Sequence, residues 1–119
     1  MLVGRWRIEK NGATSEGRNS GAELRYHARS LYAVLSLEDG KQMRVNLFED
    51  GGQMPKDDAG EDVKFDSNGA YVEVTDARMY YLVRSPKFTA HPVSLQAEGS
   101  GLTLHSFTFG NNCQLQDRP

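Results

Sequence analysis

The stretch Asp76-Ala-Arg-Met-Tyr-Tyr-Leu-Val-Arg84, answered near the end of the chain by His105-Ser-Phe-Thr-Phe-Gly110, decides the fold class. In the first stretch, one side of an extended chain would carry Met79, Tyr81 and Val83, and the other Arg78, Tyr80, Leu82 and Arg84. Around the second stretch, one side would carry Leu102, Leu104, Ser106 and Thr108, and the other Thr103, His105, Phe107 and Phe109. Such a period of two, in aromatic and aliphatic residues, is typical of a strand with two occupied faces. We therefore predict that both stretches are central strands of a β-sandwich.

The rest of the chain repeats this pattern in short segments separated by turn residues. Further strand-like segments lie at 2–9, 22–28, 31–37, 43–48, 63–65, 71–74 and 91–97, and residues 11–21 resemble a loop. No stretch shows a 3.6-residue period long enough for a helix. About nine short strands predict an all-β fold, an antiparallel two-sheet sandwich or barrel.

Three glycine-containing turns predict hairpins. Asp39-Gly40 separates the third and fourth strand-like segments, Asn68-Gly69 separates two short ones, and Gly99-Ser-Gly101 precedes the last strand. Asp-Gly and Asn-Gly pairs favour tight turns because their backbone tolerates positive φ. We expect each turn to join two paired strands.

Composition excludes several classes of function. A chain of 119 residues with net charge −2 and scattered basic residues fits one domain and does not favour nucleic-acid binding. No apolar run approaches the roughly 20 residues of a membrane-spanning helix. The single cysteine, Cys113, forms no internal disulfide. We predict one sandwich domain over residues 1–110 and a polar tail over residues 111–119.

Motifs for catalysis or metal binding are missing from the sequence. His27, His91 and His105 are far apart and lack the spacing of a zinc site, and no Gly-x-Ser-x-Gly motif occurs. The acidic loop at 53–62 could supply carboxylates to a structural calcium ion, although solvated charge explains it as well. We expect no enzyme activity and no cofactor other than this possible calcium.

Aromatic and guanidinium side chains are more informative. Sugar-binding surfaces place aromatic faces against pyranose rings and bond the hydroxyl groups with Arg, Asp and Asn. The residues of this type are Trp6, Tyr26, Tyr32, Tyr71, Arg78, Tyr80, Tyr81 and Arg84. The competing interpretation is that these rings cap the core and that Arg78 holds a loop carboxylate.

The order of these features resembles a known family. The matching segments are Gly4-Arg-Trp-Arg-Ile8, Leu24-Arg-Tyr-His-Ala-Arg29, Leu31-Tyr-Ala-Val-Leu35, Val45-Asn-Leu47, Arg78-Met-Tyr-Tyr-Leu-Val83, His91-Pro-Val-Ser-Leu95 and Phe107-Thr-Phe-Gly110. Together they resemble the carbohydrate-binding-module-like C-terminal domain that follows the thioredoxin-like domain in DipZ-type cytochrome c biogenesis proteins and related thiol-disulfide oxidoreductases. The chain departs from the relatives after Leu47, where Phe48-Glu49 precede Asp50-Gly51.

The resemblance implies a jelly-roll sandwich of the galactose-binding-domain type, periplasmic or extracellular, beside a thioredoxin-like domain. Our leading hypothesis is a non-catalytic module for a glycan or another polar extracytoplasmic ligand, with Trp6, Asp50, Arg78 and Tyr80 as the candidate ligand-binding residues. The alternative is a structural domain that docks on the redox partner and positions it or its client proteins.

Overall fold

The computed structural model of the chain describes residues 2–25, 28–38, 40, 42–89 and 92–110, without the side chains of residues 85–89. The predicted tail with Cys113, and also Tyr26, His27, Asp39 and His91, lie outside the described residues. The strands are β1 (Leu2–Val3), β2 (Trp6–Glu9), β3 (Gly12–Ser15), β4 (Gly21–Leu24), β5 (Ala28–Leu37), β6 (Met43–Glu49), β7 (Gly52–Gln53), β8 (Lys64–Asp66), β9 (Gly69–Val74), β10 (Arg78–Thr89), β11 (Val93–Ala97) and β12 (Leu102–Gly110). A single 3-10 turn, Lys56–Asp58, completes the regular structure of the described residues.

These strands form two antiparallel sheets. The seven-stranded sheet has the order β1-β4-β11-β6-β9-β8, with β7 paired to β6. The five-stranded sheet has the order β10-β5-β12-β3-β2. The prediction of an all-β, two-sheet jelly-roll sandwich is confirmed.

The core lies between the two sheets and follows the alternation of the sequence. On β5, Leu31, Ala33 and Leu35 are buried, and the residues between them are half-buried. On β6, Val45 and Leu47 are buried in the same way. These side chains belong to one core cluster that draws on both sheets, which is how a sandwich removes the inner face of each sheet from water.

Twelve strands are described where the sequence predicted about nine. Residues 2–9 form two strands, because the chain leaves one sheet after Val3 and enters the other at Trp6. Residues 12–15, predicted to be loop, form β3, and residues 52–53 form the short β7. The β3 residues are small, and Thr14 is the one β-branched side chain among them, so local propensity misses this strand.

One predicted hairpin is confirmed and two are wrong. Asn68-Gly69 joins β8 to β9, with Asp66 opposite Gly69. In contrast, β5 and β6 lie in different sheets, so the turn at Asp39-Gly40 does not join two paired strands. The turn at Gly99-Ser-Gly101 likewise joins β11 to β12 across the sandwich. Turn residues specify a reversal of the chain, but they do not determine which strand becomes the partner.

Of the two strands predicted to be central, only β12 is. It lies between β5 and β3, whereas β10 lies at the edge of the five-stranded sheet. The free edge of β10 is covered by residues 54–63, here called the edge loop, through a bridge between Ala59 and Val83. The Gly60 N–H also donates to the Leu82 carbonyl at 3.0 Å. A covered edge hides the unpaired groups that would recruit another strand.

A β-bulge also corrects the faces predicted for β12. Leu104 is opposite Leu35 and Ser106 is opposite Val34, so His105 is the extra residue. One extra residue reverses the alternation of the residues that follow. As a result Leu102 and Leu104 point into the core, and beyond the bulge Phe107 does so in place of Ser106.

Candidate functional site

Two tyrosines stand side by side on the outer face of the five-stranded sheet. Tyr81 of β10 is directly opposite Tyr32 of β5 in the strand register. Because the neighbouring residues Leu31, Ala33 and Tyr80 are buried in the core, both tyrosine side chains point outward. Their ring centroids are 4.4 Å apart with an interplanar angle of 24°. This is a stacked pair on a half-exposed surface.

Uncharged side chains form two rows on this face, and Arg84 follows in the next row, opposite Ser30. The register sets two rows across β10, β5 and β12, one of Tyr81, Tyr32 and Thr108 and the other of Met79, Val34 and Ser106. We call these six residues the tyrosine face. Thr108 is much shorter than a tyrosine, and strands are about 4.8 Å apart. The side of the Tyr32 ring that faces β12 is therefore less covered than the side that stacks on Tyr81.

The hydroxyl groups of the pair are part of a small network. The Ser30 and Tyr81 hydroxyls lie 3.2 Å apart in a hydrogen bond. Partial removal from water raises the pKa of Tyr32, and hydrogen bonding with Tyr81 raises it further. The Tyr32 phenol is accordingly neutral at physiological pH, and a phenol hydroxyl can donate as well as accept a hydrogen bond.

Asp62 of the edge loop holds Tyr81 in place from the side. The Tyr81 N–H donates to one Asp62 carboxylate oxygen at 2.7 Å, and the Asp62 N–H donates to the Tyr81 carbonyl at 3.3 Å. Arg78 donates to both carboxylate oxygens, at 3.0 and 3.3 Å. Partial burial pushes the pKa of Asp62 up, but the bonds from Arg78 and the Tyr81 N–H outweigh it, so the pKa lies below its usual value.

Arg78 matches the competing interpretation of the sequence. Its guanidinium holds a loop carboxylate, that of Asp62, and also lies 3.9 Å from the centre of the Tyr80 ring. The side chain is 47% exposed; by the alternation of β10 it leaves the strand on the side of Tyr80, opposite to Met79, and reaches Asp62 at the edge of the sheet. It therefore both closes the edge loop and remains accessible to a ligand.

Of the other three predicted ligand residues, Tyr80 contacts Arg78 but is buried, and Trp6 and Asp50 lie elsewhere. Tyr80 is fully buried, and its hydroxyl donates to the Asp76 carbonyl at 2.7 Å and accepts from the Thr75 N–H at 3.0 Å. Trp6 is on β2, four strands from β10 and hence about 19 Å across the sheet. Its indole N–H donates to the Val3 carbonyl at 2.9 Å. Asp50 is exposed in the turn after β6, on the other sheet.

A serine and a histidine also meet on the outer face of the five-stranded sheet. The His105 Nε2 lies 2.7 Å from the Ser36 Oγ, and its Nδ1 lies 2.9 Å from the Asn11 carbonyl oxygen. This is the spacing of a nucleophile and its base. Acyl transfer also needs hydrogen-bond donors aimed at the developing oxyanion. Ser36 is instead within a paired strand, and Glu9 and Glu38 line the same depression. Carboxylates there would oppose an oxyanion.

Neither a metal cluster nor a spanning helix occurs in the described residues. They contain no group of three or more His, Cys, Asp or Glu side chains arranged to hold a metal ion. In the edge loop, the Asp62 oxygens accept from Arg78 and Tyr81. The calcium site stays a prediction. No helix in this part of the chain is long and apolar enough to cross a membrane.

The sequence pattern identifies these aromatic and guanidinium residues but does not predict that they lie together. Tyr32, Tyr81 and Arg78 were all among the aromatic and guanidinium candidates. Their meeting depends on the pairing of β5 with β10, which joins residues about 50 positions apart. The sequence contains a weak signal for the role of Asp62, because a carboxylate in an acidic loop can pair with an arginine on the strand that follows.

Solved structures with the same fold include family two carbohydrate esterases. An active-site mutant of such an esterase from Clostridium thermocellum has a TM-score of 0.70 and 18% identity over 92% of this chain and 30% of its own. An esterase of the same family from Clostridium thermocellum, in complex with cellohexaose, has a TM-score of 0.70 and 17% identity over 100% of this chain and 34% of its own. One from Cellvibrio japonicus has a TM-score of 0.66 and 14% identity over 100% of this chain and 32% of its own.

This chain spans about a third of the length of those esterases, so the likeness concerns the fold of one part of them. A comparison with curated protein sequences gave no significant match. A family model does match, over residues 1–110, which is nearly the whole chain and includes both sheets. The chain therefore belongs to the family of thioredoxin like C-terminal domains.

Proposed function

We propose that this domain is a non-catalytic binding module that takes a glycan or a similar polyhydroxylated ligand on its tyrosine face. The observation that carries the proposal is the outward, stacked pair of Tyr32 and Tyr81. An exposed aromatic ring offers a flat apolar surface to the C–H face of a pyranose, and the surrounding hydroxyl groups can bond its edge. Arg78, paired with Asp62 at the edge of β10, stays a candidate planar donor to the ligand.

The neighbouring short side chains favour this use of the face. Ser106 and Thr108 are both exposed, and they leave room above β12 beside the Tyr32 ring. The cellohexaose in the related esterase complex belongs to that protein, and it supports the choice of a neutral glycan as the first probe. The Tyr80 ring packs against the Arg78 guanidinium and so helps to position it. Trp6 and Asp50 stay predictions without a place in this site.

The setting of the module is a further part of the proposal. We propose that it serves a thioredoxin-like redox domain in a periplasmic or extracellular protein, and that the narrower DipZ-type assignment applies. Family membership supports the association with a thioredoxin-like domain. The compartment and the narrower assignment rest on the resemblance described for the sequence.

The test is a titration of the full chain with cellohexaose and with cell-wall fragments, followed by calorimetry. Tyr32→Ala should weaken binding about three- to ten-fold, since the ring face is lost. Tyr32→Phe keeps the ring and should retain most of the affinity. Ser67→Ala, in an exposed turn of the other sheet, is the control. Absence of any saturable binding, or equal binding by Tyr32→Ala, would overturn the proposal.

Catalysis is tested through the Ser36 and His105 pair. We expect no hydrolysis of p-nitrophenyl acetate beyond the background rate, and no change in Ser36→Ala. A rate that exceeds the background and disappears in Ser36→Ala would contradict the non-catalytic assignment.

A second candidate function is protein docking, and the uncharged character of the tyrosine face favours it. Met79 is 47% exposed, and tyrosine and methionine are enriched at protein interfaces. Titration with a separately produced thioredoxin-like domain would then shift the amide signals of β5, β10 and β12, and Met79→Lys would reduce these shifts. Shifts elsewhere, or none, would exclude docking on this face.

A further inference from the structure

The outer face of the seven-stranded sheet holds a row of registered residues that crosses five strands. Val3, Gly21, Gln96, Asn46 and Tyr71 are successive partners on β1, β4, β11, β6 and β9. Because Val45, Leu47 and Leu95 point into the core, the side chains of Asn46 and Gln96 point outward. Four strand spacings make this row about 19 Å long.

Two adjoining depressions follow the row. The first has a volume of about 200 Å³, and its lining includes Phe48, Ser94 and Gln96. The second has a volume of about 250 Å³, and its lining includes Asn46 and Glu98. Asn19 lines both, so the two depressions are neighbours. We call this feature the amide groove, after Asn19, Asn46 and Gln96.

Several polar groups of the groove are available to a ligand. Within the described part of the chain, the side chains of Asn19, Ser94 and Gln96 make no hydrogen bond to another residue. Asn19 is held at the rim by its backbone, whose N–H donates to the Ala97 carbonyl at 3.0 Å. A carboxamide presents a donor and an acceptor side by side, which suits a pair of neighbouring hydroxyl groups.

Apolar surface accompanies these polar groups. Phe48 is half-buried, directly opposite Ser94 in the register, and lines the first depression. A phenyl ring beside convergent carboxamides and a hydroxyl is the combination that binds a ring with one apolar face and a polar edge. At the far end of the row is Tyr71, whose ring is covered by the Arg44 guanidinium at 3.9 Å.

The charges of the groove indicate a neutral ligand. The described ionisable side chain in the first depression is the Glu23 carboxylate. The lining of the second depression includes both Arg18 and Glu98. Arg44 is bonded to Asp66 and also pairs with Glu98. The described ionisable side chains that line the two depressions are thus the carboxylates of Glu23 and Glu98 and the guanidinium of Arg18, a net charge of −1 that disfavours an anionic sugar.

We propose that the amide groove is a second carbohydrate site, which takes a short neutral oligosaccharide laid across the strands with one pyranose ring in the Phe48 depression. It lies on the opposite sheet from the tyrosine face and does not depend on it. A domain with a binding face on each sheet can hold two segments of glycan at once, which raises the apparent affinity for a polymer.

The test compares cellohexaose, chitohexaose and a hexamer of galacturonic acid, titrated into the full chain and its variants. A neutral hexaose should bind, and Gln96→Ala should weaken it about five-fold, the value of one lost hydrogen bond. Phe48→Leu, which keeps an apolar side chain in the same position, should weaken it about three-fold or more. Gln42→Ala is the matched control, because it removes an exposed carboxamide just before β6 whose partner is Glu73.

The outcomes for the two faces are separate. Loss of affinity in Gln96→Ala and Phe48→Leu but not in Tyr32→Ala would support the groove and leave the tyrosine face without support. Loss in Tyr32→Ala alone would overturn the groove and leave the proposed function standing. Equal or tighter binding of the galacturonic acid hexamer would overturn the neutral class of ligand. A chain that binds no hexaose overturns both sites.

Discussion

Tyr80 shows how a single polar group can stabilise a buried ring. Its side chain is in the core, and its hydroxyl links the β10 strand to the preceding turn through the Asp76 carbonyl and the Thr75 N–H. The ring contributes buried apolar area, and the hydroxyl satisfies two backbone groups that would otherwise lose their partner.

Tyr80→Phe should therefore lower the free energy of unfolding by roughly 1–2 kcal/mol, because it leaves a backbone donor and an acceptor unpaired near the core. Urea unfolding checks this as a lower midpoint at an unchanged slope. Tyr71→Phe removes the same hydroxyl from a half-buried ring on the outer sheet face and should leave the midpoint nearly unchanged. Equal effects of the two substitutions would contradict the role assigned to the Tyr80 hydroxyl.

Asp66 gives the stability of the domain an acid-sensitive component. Hydrogen bonds from Arg44 and from the Asn68 N–H lower the pKa of Asp66 from 3.8 to about 2. A carboxyl with a depressed pKa in the folded state stabilises that state above the unfolded value, and this contribution is lost as the pH falls through the folded one. The pH window is therefore 3.8 down to about 2.

We expect the urea midpoint of the native sequence to fall as the pH is lowered through that window. Asp66→Asn should start from a lower midpoint near neutral pH and should fall less on acidification, because it carries no titrating group at this position. Asp62, whose pKa is also lowered, acts in the same direction and remains in the variant. Parallel pH profiles for the two proteins would contradict the assignment to Asp66.

Among the elements, the edge loop decides how β10 behaves. Its residues use backbone groups of β10 that a neighbouring strand would otherwise use, with Gly60 and Asp62 bonded to Leu82 and Tyr81. Gly60 allows this close approach, because a Cβ at that position would lie 2.4 Å from the Tyr81 carbonyl oxygen. The loop thus closes the sheet edge and orients one member of the tyrosine pair.

Gly60→Ala should displace the edge loop from β10 and lower the free energy of unfolding by roughly 1–3 kcal/mol, the usual cost of overpacking. Hydrogen exchange should speed up at Gly60 and Asp62 before the rest of the sheet is affected. An uncovered edge should also increase aggregation on storage. Gly17→Ala is the control, since nothing lies within 4 Å of the added Cβ there. Wild-type stability and exchange in Gly60→Ala would refute this role.

At the level of the whole molecule, the two sheets are held together mainly by their shared apolar layer. Leu35 is fully buried near the middle of β5 and belongs to the cluster that both sheets contribute to. By contrast, Ile8 at the edge of the five-stranded sheet is 72% exposed.

Leu35→Ala should lower the free energy of unfolding by about 2–5 kcal/mol, through lost burial and a residual cavity. Ile8→Ala should change it by less than about 0.5 kcal/mol, as expected for an exposed site. Thermal and urea unfolding of the two variants give the comparison. A similar cost at both positions would mean that the layer between the sheets is not the main source of stability.

The sequence by itself determined that the chain is all-β and contains the residues of an aromatic and guanidinium surface. The period of two in β10 and β12 is a local property of the sequence, so it can be recognised without knowing which strands pair. The sequence also predicted most strands and the hairpin at Asn68-Gly69. The pairing of Arg78 with a loop carboxylate was one of its two interpretations of that residue.

The tertiary structure alone decided which strands pair and which side chains meet. Local alternation does not distinguish the central β12 from the edge strand β10, and one bulge residue at His105 reverses the predicted faces beyond it. Both Tyr32 beside Tyr81 and the row of the amide groove depend on pairing between residues distant in the chain. Such pairing is set by which arrangement buries the inner faces of both sheets, and this is a property of the folded chain as a whole.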